Sequence, residues 1–159
     1  MTRDSLAERG ARVVFIPPPL YYAAALAGGA LLDQVIALPV GGRPATAIIG
    51  GVAAALGLAF TFSGVAAVIR HRTTIVPHRP VAHLITTGVY RLSRNPMYTG
   101  LAVAVTGCAL LMGTWWPILL LPVTLVLITF LVIRPEERYL TARFDREYLD
   151  YRTAVRRWI

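Results

Sequence analysis

MYTGLAVAVTGCALLMGTWWPILLLPVTLVLITFLVI, residues 97–133, contains no Asp, Glu, Lys or Arg. Its main interruption is Gly113-Thr114, which divides it into runs of roughly 97–111 and 116–133. A helix needs about 20 apolar residues to cross roughly 30 Å of hydrocarbon, so each run approaches the length of one crossing. So short a link makes the two runs an antiparallel helical hairpin. Trp115-Trp116 beside the turn suits a membrane–water interface.

Two further apolar runs lie upstream. The first covers about 13–32, with Pro17-Pro18-Pro19 near its entry and Tyr21-Tyr22 as a possible interfacial marker. The second covers about 45–69, and its Gly50, Gly51, Gly57 and Gly64 permit close helix contact. The composition agrees: 56% hydrophobic and 15% charged, with a mean hydropathy of +0.60. These features place the chain in the membrane class as a single domain over 1–159. Acids and bases both precede the first run and no small-residue cleavage site follows it, so the run is expected to stay in the mature protein.

The net charge of +8 comes from arginine, since no lysine is present. Three arginines precede the first run (Arg3, Arg9, Arg12), five lie between the second and third, and seven follow the fourth. Only Arg43 falls between runs one and two. Basic residues collect on the cytosolic side, so both termini and the 70–97 loop are expected in the cytosol. That rule accounts for the charge without nucleic acid. The arginine, alanine, glycine and proline usage fits a GC-rich bacterial genome, and so a multi-pass protein of the bacterial inner membrane. Asp33 falls at the non-cytosolic end beside Gln34, as an interfacial end-marker. Cys108 lies in an apolar run with no partner in the chain, so no disulfide is expected.

The expected fold is therefore all-α: a polytopic membrane protein of about four transmembrane helices, the last two a hairpin. A cytosolic loop and an amphipathic C-terminal helix complete it. That polar loop and the C-terminal segment hold nearly all the reactive side chains, on one side of the membrane. Projected as one helix, the C-terminal segment carries Leu140, Phe144, Tyr148, Tyr151, Val155 and Trp158 on a single face. Glu137 points into that face and Glu136 to its flank. An acid on an apolar face needs a partner, either an arginine of the 70–97 loop or a ligand. In the loop, punctuated by Gly88 and Pro96, the donors Thr86, Thr87, Tyr90, Ser93, Asn95 and Tyr98 lie among Arg91 and Arg94, and Arg94-Asn95-Pro96 must be largely extended or turned. His71, His78 and His83 match no zinc spacing, and no metal is expected.

Gly88-Val89-Tyr90, Arg94-Asn95-Pro96-Met97-Tyr98 with Gly100, Glu136-Glu137 with Leu140, and Phe144, Glu147-Tyr148 and Tyr151 together resemble the isoprenylcysteine carboxyl methyltransferase family. The nearer likeness is to its short bacterial, phospholipid-methyltransferase-like members, over about residues 73–159. The resemblance implies an S-adenosylmethionine-dependent integral membrane methyltransferase. The cofactor would be enclosed between loop, hairpin and C-terminal helix, so 70–159 would be the cofactor-binding half and 13–69 two N-terminal spans. By position, His83, Leu84, Thr86, Gly88, Tyr90, Asn95, Pro96, Tyr98, Glu136 and Glu137 would bind the cofactor, with S-adenosylhomocysteine as product. Arg94 would act at the transfer centre.

The residues suit that cofactor. Its carboxylate wants donors, its ammonium and ribose want acceptors such as Glu136 or Glu137, and its adenine wants an aromatic wall. Methyl transfer is an in-line displacement that alignment alone can promote by roughly 7–11 kcal/mol. The partner would be a membrane lipid or small amphiphile presenting a carboxylate, amine or thiol. Asn95 stands where the prenylcysteine branch has histidine, and Ala82 stands at another such place with His83 one position late. Both departures point away from prenylcysteine. Asp145 replaces a glycine that many members carry. Two other readings are an NADPH-dependent membrane reductase related to sterol reductases and a non-catalytic lipid-binding membrane protein.

Overall fold

The computed structural model describes residues 16–71 and 83–159. Arg3, Arg9, Arg12, Arg72, His78, Arg79 and the entry to the first apolar run lie outside the described residues. Among the described residues the chain is helical without strands. Helix α1 spans Pro18–Val35, α2 Ala45–Arg70, α3 Pro96–Met112 and α4 Trp116–Ile128. A π-helical turn at Thr129–Ile133 leads into α5, Arg134–Phe144, and α6 follows at Arg146–Ala154. A short 3₁₀ turn, Gly88–Arg91, precedes α3.

Proline marks the first turns of α1, α3 and α4, where a missing N–H breaks no helical bond. The hairpin turns at Gly113, whose φ of 79° closes α3 in the left-handed region. Helices α2 and α3 approach closely because Gly50 and Gly57 meet Gly107 and Gly100. A Cβ on Gly50 would lie 2.8 Å from the Gly107 carbonyl oxygen, and one on Gly57 2.6 Å from that of Gly100. Helix α1 packs along α4.

Two helices are long and apolar enough to cross a membrane: α2, and the continuous helix Trp116–Phe144. Of their most apolar stretches only 22% and 33% is buried, so neither is the core helix of a soluble protein. Leu56, Phe62, Leu119, Val123, Val126 and Phe130 all face outward. Such an apolar exterior fits a lipid environment. Helix α3 is apolar but has 17 residues, and the 18-residue α1 is diluted by tyrosine, Asp33 and Gln34.

Three local expectations are corrected. Tyr22 is buried in the core rather than interfacial, 2% exposed, and its hydroxyl donates to the Tyr98 carbonyl at 2.8 Å. The last apolar run does not end before the polar segment. The π turn, with the Arg134 N–H bonded to the Thr129 carbonyl, carries the helix past Pro135. The C-terminal segment is not one helix: the chain breaks at Asp145, at φ 46° and ψ −114°. A side chain is strained at positive φ and glycine is not.

At the end of the bundle bearing the hairpin turn, Asp33 Oδ1 accepts from the Leu38 N–H at 3.0 Å and the Thr114 hydroxyl at 2.7 Å. The Trp116 indole N–H donates to the Ile36 carbonyl at 2.7 Å. The Arg43 guanidinium donates to the Leu111 carbonyl, also at 2.7 Å. These bonds tie the α1–α2 loop to the hairpin.

Candidate active site

At the opposite end, the loop from His83 to Asn95, the start of α3 and the inner faces of α5 and α6 surround a cleft of about 780 Å³, counted to its open mouth. His83, Leu84, Tyr90, Arg94, Asn95, Tyr98, Glu136 and Glu137 line it. Thr86, Gly88 and Pro96 do not. Gly88 turns the loop at a φ of 61°, and Pro96 is buried as the first residue of α3. Val68, Met97, Ile133 and Leu140 supply an apolar floor, and Tyr148 and Tyr151 complete an aromatic wall.

The two adjacent acids differ in their surroundings. Glu137 is spoken for: Arg157 donates from Nε to Oε1 at 2.9 Å and from Nη2 to Oε2 at 2.8 Å. Arg94 Nη1 lies 3.0 Å from Oε1 as well. Thus the partner that helical projection demanded for Glu137 is a pair of arginines, one from the loop and one from the C-terminal tail. Glu136 has a single long bond within the cleft, accepting from the Tyr98 hydroxyl at 3.4 Å. It is open to solvent through the cleft yet walled by protein at longer range. That burial raises its carboxyl to about 7; the Tyr98 hydrogen bond opposes the rise and the charge of Glu137 adds to it. Water filling the open cleft also acts against the lift.

Arg94 is nearly buried, with 9% of its side chain exposed. Its Nη1 also donates to the Tyr148 hydroxyl at 3.3 Å, while its Nε is buried with no hydrogen-bond partner. A buried donor without an acceptor is costly unless a ligand satisfies it. Burial raises the phenols of Tyr90, Tyr148 and Tyr151 above their ordinary value. They therefore remain neutral, as donors and apolar walls rather than bases. The Tyr151 hydroxyl fastens α6 to the loop by donating to the Tyr90 carbonyl at 2.6 Å.

The tail after α6 doubles back over the loop. The Arg94 N–H donates to the Arg156 carbonyl at 3.0 Å, and Asn95 Nδ2 donates to that of Arg157 at 2.9 Å. Asn95 thus secures the tail while its side chain borders the cleft. Sequence reasoning missed Arg157 and the cleft-facing roles of Tyr148 and Ile133. On a continuous helix Arg157 would stand about 30 Å beyond Glu137, and only the break at Asp145 and the returning tail bring them together. The tyrosines had a signal, the apolar stripe, which marked them as buried.

An apolar helical bundle with an aromatic-walled cleft at its polar end defines a helical membrane protein. The chain belongs to the phospholipid methyltransferase family, whose sequence profile matches residues 45–147. It is also similar to protein-S-isoprenylcysteine O-methyltransferase of Saccharomyces cerevisiae, with 38% identity over 84 residues. That match covers 45% of this chain and 30% of the relative, so the chain spans under a third of that protein's length. No solved structure gives a significant match.

Proposed function

We propose that the cleft binds S-adenosylmethionine and that the chain transfers its methyl group to an amphiphilic acceptor at the cytosolic membrane face. The observation that carries this reading is the charge of the cleft. Among the described residues that line it, the charged side chains are Arg94, Glu136 and Glu137, and Glu137 already neutralises Arg94. Glu136 is left as an acceptor for an ammonium or ribose hydroxyl. The tyrosines offer a wall for adenine. The family assignment supports the same chemistry.

S-adenosylmethionine would supply an activated methyl group, and the chain would supply alignment. Glu136 holds the cationic or hydroxyl portion. Tyr90, Tyr98 and Tyr151 confine the flat portion, and His83, Leu84 and Asn95 border it. Thr86, Gly88 and Pro96 shape the loop from behind. Arg94, gripped by Glu137, presents its remaining donors to a carboxylate or phosphate of the acceptor. A nicotinamide dinucleotide phosphate fits poorly, because its several phosphates would meet Glu136 and an arginine already paired.

The membrane arrangement that suits this site has four crossings, formed by α1, α2, α3 and the α4–π segment, with both termini in the cytosol of a bacterial cell. The arginine asymmetry supports it, and α5 then emerges from the membrane at Arg134. In a Cys108→Ser background, a cysteine at Thr153 should react only with reagents on the cytosolic side. Labelling from outside intact cells would overturn the topology. The functional reading is tested by melting the purified protein with adenosylhomocysteine or NADPH. Stabilisation of about 2.7 kcal/mol is expected at a hundred times the dissociation constant of adenosylhomocysteine, and none from NADPH. The reverse result, or no response to either, refutes it.

A further inference from the structure

We infer that Arg157 is a positioning residue that fixes the Arg94 guanidinium through Glu137, an inference that rests on the methyl-transfer reading above. Arg157 follows the end of α6 at Ala154, where Val155 takes an extended backbone. The tail it belongs to is anchored without its side chain. The carbonyls of Arg156 and Arg157 accept from the Arg94 N–H and Asn95 Nδ2, the Ser93 hydroxyl donates to Arg157 at 3.3 Å, and Trp158 packs on the core. The guanidinium is therefore free for a separate task, and it is spent wholly on Glu137.

The geometry defines that task. A carboxylate held at one oxygen can rotate about its last bond, whereas a fork on both oxygens stops it. Arg157 supplies the fork, at 2.9 and 2.8 Å. Arg94 is then seated on Oε1 of a carboxylate that cannot turn, at 3.0 Å. Its other side-chain hydrogen bond, to the Tyr148 hydroxyl, is longer at 3.3 Å, and its Nε has no partner. Without Arg157, Glu137 would keep one guanidinium contact, from Arg94 to Oε1 alone, and the fork that fixes its plane would be lost. Exposure separates the roles: the Arg157 side chain is 31% exposed, against 12% for Glu137 and 9% for Arg94. Arg157 also does not line the cleft. It acts from outside on the group that faces the acceptor.

The test uses the full chain in detergent. Arg157→Gln should lower kcat about tenfold or more while adenosylhomocysteine affinity stays within about threefold. Arg157→Lys keeps the charge without the fork and should fall between the two. Adding Arg157→Gln to Arg94→Lys should slow turnover by less than about twofold beyond Arg94→Lys alone, because both changes remove one arrangement. In spectra of protein labelled with ¹⁵N-arginine, the Arg94 Nε–H should exchange slowly with water in the native chain and rapidly in Arg157→Gln. Unchanged kcat, multiplicative effects in the double variant or an unaltered Nε–H signal would each overturn the inference. Should the native protein bind no adenosylhomocysteine, the functional reading falls, and the Nε–H exchange still decides whether Arg157 positions Arg94.

Discussion

The two ends of the bundle each hold acidic side chains, and they use them differently. At the hairpin end, Asp33 accepts from two neutral donors, the Leu38 N–H and the Thr114 hydroxyl, and joins two segments of chain. At the other end, Glu136 and Glu137 stand beside a cleft, one locked between two arginines and the other holding a single long bond. An acid with short bonds from its own neighbours serves the fold. One that borders a cavity with its hydrogen-bonding capacity unused is available to a ligand. The comparison also separates adjacent residues: Glu137, like Asp33, has short bonds from its neighbours, while Glu136 holds one long bond.

The largest effect that probes this contrast is on stability. Glu137→Gln leaves the buried Arg94 beside an uncharged amide and should cost about 3 kcal/mol, seen as a lower melting temperature without ligand. The additional stabilisation by adenosylhomocysteine should survive. Loss of that shift with unchanged intrinsic stability would mean that Glu137, rather than Glu136, contacts the cofactor. A smaller effect is expected on the reaction. Arg94→Lys retains charge but loses the two-pronged geometry, so turnover should fall at least about tenfold, or about 1.4 kcal/mol in barrier. Adenosylhomocysteine affinity should stay within about threefold. The smallest concerns the far end, where Asp33→Asn should leave adenosylhomocysteine affinity and turnover at native values. A change in either would show that the two ends are coupled.

Much of this architecture was legible because it is local. The hairpin follows from two charge-free runs joined at Gly113-Thr114, and the glycines of the second run marked a close helix contact without naming its partner, α3. The apolar stripe placed Tyr148 and Tyr151 inside. What escaped depended on chain reversal. No periodicity reports that Asp145 adopts positive φ, or that Arg157 returns to Glu137 across twenty positions. A continuous-helix projection turned Glu137 inward correctly and set Glu136 on the flank. The cleft opens on that flank, because the loop from His83 approaches α5 there. Likewise, Tyr22 beside Tyr21 reads as an interfacial pair until the Tyr98 carbonyl supplies a buried partner.

Adenosylhomocysteine affinity measured from pH 6 to 8 tests the central claim most directly. Burial raises the Glu136 carboxyl to about 7, whereas a bound ammonium would favour its charged form and lower that value. Below about pH 7, binding must then expel a proton, and affinity should weaken by up to about tenfold for each unit of acidification. Above it, affinity should level off. Glu136→Gln should bind about ten- to a hundredfold more weakly, from loss of a charge-assisted bond, and should remove the dependence. Affinity independent of pH, together with native binding in Glu136→Gln, would contradict the assignment of Glu136 to the cofactor.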